Sequence, residues 1–85
     1  MSAMELRELK EIENNEDASY LRFSHFPIAR TKTYADGEVN VDLDHCGEVV
    51  GIEVLSYGAE ELKALGEIVK EYQLRTESLR FARTR

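Results

Sequence analysis

The chain has 85 residues, enough for one domain, and a domain this short buries only about 60% of the surface that its unfolded form exposes, so its core needs a disulfide, a metal or a partner chain as support. A single cysteine, Cys46, excludes an internal disulfide, and a formal net charge of −6 argues against wholesale binding of nucleic acid, whose phosphates most of this surface would repel. Association remains, and a homodimer is the expected support.

Residues 1–10 place Glu5, Arg7, Glu8 and Lys10 where a secretory signal needs an unbroken apolar stretch, and no later run approaches membrane-spanning length. With a free thiol, this sets the expected location as the cytoplasm. Residues 1–12 suit a helix by composition, while Leu9 and Ile12 equally suit the start of a strand. Residues 14–17 are turn-forming. Over residues 19–23, Leu21 and Phe23 alternate with Tyr20 and Arg22, as a half-buried strand requires, and Pro27 then interrupts. Residues 28–34 read as a strand, Asp36 and Gly37 as a hairpin turn, and Val39, Val41 and Leu43 alternate with Asn40, Asp42 and Asp44. A second turn at residues 44–47 leads into the most apolar strand, 49–55. From Gly58 the period changes: Leu62, Leu65, Ile68, Val69 and Tyr72 recur at helical spacing, with Glu60 and Glu61 in the first turn and Lys70 near the far end, matching the helix dipole. The expected fold is therefore α+β, an antiparallel meander of four or five strands with one C-terminal helix packed on it. Residues 1–72 form the domain and 73–85 a basic tail.

Turn length sets which side chains share a face, since slipping a strand by one residue exchanges its sides. A two-residue Asp36-Gly37 loop would put Lys32 beside Val41 and Arg30 beside Leu43, cations among apolar residues. A three-residue loop of Ala35, Asp36 and Gly37 instead pairs Thr33 with Val39, Thr31 with Val41 and Ala29 with Leu43, and sets Arg30 against Asp42; this is the expected register. A four-residue second loop pairs Val41 with Val50, Val39 with Ile52 and Asn40 with Gly51. The expected outer face then carries Arg30, Lys32, Tyr34, Asn40, Asp42 and Glu53 around a bare glycine open to close approach.

Ile12-Glu-Asn-Asn-Glu-Asp-Ala-Ser-Tyr-Leu-Arg-Phe, Pro27-Ile-Ala-Arg-Thr, and Val39-Asn-Val-Asp-Leu-Asp with Gly47-Glu-Val-Val-Gly-Ile-Glu-Val-Leu resemble, in that order, the small bacterial family called domain of unknown function 2283. The resemblance spans residues 12–55. It implies an antiparallel sheet with Ile12 in a first strand, and small toxin-like proteins as a partner class. It brings no activity, cofactor or catalytic residue. His45 and Cys46 depart from the family's polar turn, and the helix and tail lie outside the match.

Asp44, His45, Cys46 and Glu48 are of metal-ligand types, but consecutive turn residues seldom converge on one ion, so they read as a solvated turn and no metal or cofactor is expected. Cys46 has no base placed to activate it. Asp42 and Glu53 could form an acid–base pair only in a cleft that desolvates them, which nothing in the sequence indicates, and His25 reads as a loop residue. The candidate binding face is Arg30, Tyr34, Asn40, Asp42 and Glu53. In the tail, Arg75, Leu79, Arg80, Phe81 and Arg83 interleave cations with apolar groups, a pattern that can fold onto an acidic protein surface or phosphates. The expected function is a non-enzymatic protein-interaction or oligomerisation module, with a small-ligand or metal sensor on the polar face as the alternative. Membrane binding is not expected, nor nucleic-acid binding except through the tail.

Overall fold

Val39, Val41 and Leu43 alternate with Asn40 and Asp42, the pattern of a strand with one dry and one wet face, and they form β5 (Val39–Leu43) inside a five-stranded antiparallel sheet. The structure, a computed structural model, describes residues 7–75. Its other elements are β1 (Arg7–Glu8), β2 (Glu11–Asn14), β3 (Ser19–Arg22), β4 (Arg30–Tyr34), β6 (Val49–Val54), α1 (Ala59–Tyr72) and β7 (Leu74–Arg75). The α+β class with a single C-terminal helix is the one the sequence predicts, and Ile12 lies in a strand as expected. The sheet order is β2-β3-β6-β5-β4. The meander thus holds for β4, β5 and β6, while β6 returns beside β3 in a Greek-key connection. β1 and β7 form a separate parallel pair, Arg7 beside Leu74 and Glu8 beside Arg75.

The core lies between the sheet and α1. Leu21 and Phe23 from the β3 side, Val39, Val41 and Leu43, and Val49, Ile52 and Val54 meet Ala64 and Ile68 of the helix. Ile68 is fully buried, a contribution of about 1.5–3 kcal/mol for a side chain of its size. Glu60, Glu61 and Lys70 sit at the ends that suit their charges, and Gln73 closes the helix at φ 55 with its N–H on the Lys70 and Val69 carbonyls. Leu62, expected in the apolar stripe, is 54% exposed. It lies about a third of a turn around the helix from Ile68, and Ala64 takes the inward position. Among the described residues no helix is long and apolar enough to cross a membrane.

Both expected registers are overturned. At the first hairpin Tyr34 pairs with Val39, Thr33 with Asn40, Lys32 with Val41, Thr31 with Asp42 and Arg30 with Leu43, so Arg30 and Asp42 lie on opposite faces. Ala35 (φ 52), Asp36 (φ 54) and Gly37 (φ 90) all take positive φ and the Glu38 N–H donates to the Ala35 carbonyl at 3.0 Å, so four residues link the paired Tyr34 and Val39 in the register of a two-residue loop, with the signs of a type I′ turn at Asp36 and Gly37. Cations beside Val41 and Leu43 are tolerated because β4 is an edge strand, where long stems leave the core and put their heads in water. Lys32 Nζ lies 5.6 Å from the centre of the Tyr34 ring and 3.8 Å from Glu71 of α1.

At the second hairpin Val39 pairs with Val54, Asn40 with Glu53, Val41 with Ile52 and Asp42 with Gly51, and the pairing then slips so that Leu43 meets Val49. The slip leaves Val50 as an extra residue on β6. Its carbonyl accepts the N–H groups of Phe23 and Ser24. As far as Gly51 the shift from expectation is even, so Ile52 and Val54 keep their face, and beyond the slip Val49 takes the place in the core that Val50 was expected to fill. The turn is drawn in by Asp44, which is only 2% exposed and whose Oδ1 accepts the N–H groups of Cys46 and Glu48 at 2.9 and 3.0 Å.

Leu74, read from sequence as part of the tail, is buried with Leu9, and the Leu9 N–H donates to the Arg75 carbonyl at 3.0 Å. Leu79, Arg80, Phe81 and Arg83 lie outside the described residues. Replacing Leu74 by alanine is expected to lower unfolding free energy in denaturant titration by about 2 kcal/mol or more, whereas Leu62→Ala should change it by less than about 0.5 kcal/mol. Equal small effects would show that Leu74 is not part of the core.

Candidate functional site

The wet face of the sheet collects Glu11 and Glu13 from β2, Tyr20 and Arg22 from β3, Gly51 and Glu53 from β6, Asn40 and Asp42 from β5, and Thr31 and Thr33 from β4, as the strand registers require. Two rows of contacts cross it. In the first, Arg22 Nε lies 3.5 Å from Glu11 and 3.4 Å from Glu13, and its guanidinium sits 5.1 Å from the centre of the Tyr20 ring. The Tyr20 hydroxyl donates to Asp42 Oδ2 at 2.7 Å and the Thr31 hydroxyl to Asp42 Oδ1 at 2.6 Å. In the second, Asn40 Nδ2 donates to Glu53 at 3.2 Å and to the Gly37 carbonyl at 3.0 Å, while the Thr33 hydroxyl donates to Asn40 Oδ1 at 3.1 Å.

Tyr20 reaches Asp42 by crossing β6, and it can do so only because residue 51 is glycine. A Cβ there would overlap the ring at Cε2, Cζ and the hydroxyl. The glycine expected to lie bare is therefore covered by an aromatic ring of the same chain. Burial is the main reason that the Tyr20 phenol titrates well above its ordinary range, and its hydrogen bond to Asp42 and that carboxylate's charge act in the same direction. Burial likewise raises Tyr34, on the opposite face, with a hydrogen bond to Tyr72 adding to it.

Beside Tyr20 the face is dished into a shallow depression of about 320 Å³ in which Glu13, Arg22, Asp42, Glu53 and the exposed Ile28 meet. Of the candidate binding residues, the structure brings Asp42 and Glu53 into this depression, keeps Asn40 on the same face beside Glu53, and sets Arg30 and Tyr34 on the helix side of β4. Arg30 extends towards the second hairpin, its Nη2 being 3.9 Å from where a Cβ on Gly47 would lie. Tyr20 and Arg22 were missed as site residues. Their alternation with Leu21 and Phe23 marks them as outward-facing, but only the non-sequential pairing of β3 with β6 brings Tyr20 over Gly51.

The other sequence candidates stay apart from this face. His25, His45 and Cys46 are exposed, and among the described residues no group of three or more His, Cys, Asp or Glu side chains is placed to hold a metal ion. A family model described as "Protein of unknown function (DUF2283)" matches residues 11–56, more than half of the chain. No curated protein matches, and no solved structure does.

Because the folded chain holds the Tyr20 phenol in its protonated form and the unfolded chain releases that proton near pH 10, the stabilisation is complete below about pH 10 and is lost as pH rises beyond it. Denaturant titrations across this alkaline range should show a steeper loss of stability for the native chain than for Tyr20→Phe. Parallel pH profiles would show that Tyr20 is not held in this way.

Proposed function

The chain belongs to the DUF2283 family, proteins described only as of unknown function, and from that premise we propose that it is a non-enzymatic protein-interaction or oligomerisation module using the wet sheet face. The observation that carries this reading is the mutual engagement of that face's polar groups. Asp42 is held by Tyr20 and Thr31, and Glu53 by Asn40, so the two carboxylates best placed for acid–base work already serve as acceptors in a fixed lattice. The face is broad and shallow, and it carries an arginine and a tyrosine, residue types enriched where proteins meet. Exposed Phe26 and Ile28, at 59% and 53%, stand on the connection that leads past it. A small core is the second support, since a lone copy of this size gains most from burying a face against another chain. A small toxin-like protein is the partner class that agrees with the family resemblance, and the cytoplasm is the compartment that agrees with the free thiol.

A second reading, sensing of a small polar ligand, draws on the depression beside Tyr20. Its volume suits a small molecule, but ligand sites generally enclose most of their occupant, and this one is open. The metal-sensing version has no described ligand set to use.

Light scattering of the purified chain, together with affinity co-purification from its native cells, tests the proposal. The expected result is a dimer or a stoichiometric partner protein that is lost when Ile28→Asp and Glu53→Arg are combined in a still-folded variant. A monomer that retains no partner would contradict it.

A further inference from the structure

On the wet face the strands set four carboxylates, Glu11, Glu13, Asp42 and Glu53, against one guanidinium, that of Arg22, which already lies between Glu11 and Glu13. The depression beside Tyr20 gathers Glu13, Asp42 and Glu53 opposite Ile28, an apolar side chain that is 53% exposed. Donors in its lining are already engaged within the chain: the Tyr20 hydroxyl on Asp42, the Ser19 hydroxyl on Asn14 and the Arg22 guanidinium on Glu13 and the Ser24 carbonyl. Acceptor capacity remains, because each carboxylate oxygen has two lone pairs and Asp42 receives one donor on each of its oxygens. The depression therefore offers acceptors, negative charge and an apolar wall. A bare metal ion does not match it, since among the described residues no three such groups are placed to hold one. An anion or a nucleic-acid phosphate would be repelled.

We propose that the wet face docks a basic segment of a different protein, with the side chain of an arginine or lysine lying in the depression beside Tyr20. This rests on the interaction reading given above and names the chemistry of the partner. Such a side chain matches both walls, because its aliphatic stem covers Ile28 while its charged head reaches Glu13, Asp42 and Glu53. Two of those carboxylates are set before any partner arrives: Tyr20 and Thr31 hold Asp42, and Asn40 holds Glu53. Little ordering then opposes binding. The field of the whole chain acts in the same direction, since a net charge of −6 draws a cationic partner towards an acidic face. A second copy is disfavoured by the same charge. Docked face to face, it would set these carboxylates against their own counterparts.

NMR titration of the full chain with two peptides of equal length, one alternating arginine with serine and the other glutamate with serine, tests it. The amide signals of Tyr20, Asp42, Gly51 and Glu53 should move with the arginine peptide and stay in place with the glutamate peptide. Raising salt from about 0.05 M to about 0.5 M should weaken the binding at least about tenfold. The double variant Glu13→Gln, Glu53→Gln, which removes charge at nearly constant shape, should bind the arginine peptide at least about fivefold more weakly, while the signal of the interior Leu21 amide shows the fold unchanged. Equal movement with both peptides, movement confined to other surfaces, or undiminished affinity in the variant would overturn the proposal. No movement with either peptide, in a chain that light scattering or co-purification shows to be a dimer or to hold a partner, would overturn the cationic assignment and leave the interaction reading standing. The same result in a monomer without a partner would overturn both.

Discussion

The wet face depends on one contact, the Tyr20 ring lying across Gly51 so that its hydroxyl reaches Asp42. The contact ties β3 to the hairpin of β5 and β6, which is distant from it in sequence, because β3 and β5 flank β6 and the ring crosses the strand between them. Arg22 stacks over the same ring and holds Glu11 and Glu13 on the far strand, and Thr31 completes the Asp42 carboxylate from the other edge. A row of polar contacts thus crosses the sheet from β2 to β4. Each single contact is modest, since partly exposed hydrogen bonds and ion pairs contribute about 1 kcal/mol or less. Their joint effect is to hold the face in one arrangement.

The dry side obeys a different rule. There the hydrophobic residues of β3, β5 and β6 need a cover, α1 supplies it, and the edges of the sheet are managed by charge. On β4 the stems of Arg30 and Lys32 leave the apolar side and place their heads in solvent, which also discourages another sheet from pairing there. The Tyr34 hydroxyl, and after it Tyr72 and Glu71, raise the pKa of the exposed Lys32 ammonium, so this edge remains cationic. The opposite edge is acidic. The two edges of the sheet thus carry charge of opposite sign.

Much of this was legible in the residues. Alternation in β3, β5 and β6 marks which side chains point inward, and the change to helical period after Gly58 marks α1, because burial on one face imposes those periods directly. Pairing was not legible. Rejecting cations beside Val41 and Leu43 assumed a strand covered on both sides, whereas an edge strand gives long side chains a way out; the Asp36-Gly37 pair, a strong type I′ signal, was the better guide. The bulge at Val50 and the return of β6 beside β3 are set by three-dimensional closure. For that reason Asn40, Asp42 and Glu53 could be placed on a common face, while the residue that organises them, Tyr20, could not. Gly51 was correctly marked as a position of close approach, although the group that approaches is internal.

The most direct test of this account is the cost of Gly51→Ala measured by denaturant unfolding in two backgrounds. With Tyr20 present, the added methyl displaces the ring and breaks its bond to Asp42, and a loss of about 1–3 kcal/mol is predicted. With Tyr20→Ala already in place, the same substitution should change stability by less than about 0.5 kcal/mol. An equal loss in both backgrounds would contradict the account, because the glycine would then be needed for a reason other than the tyrosine that crosses it.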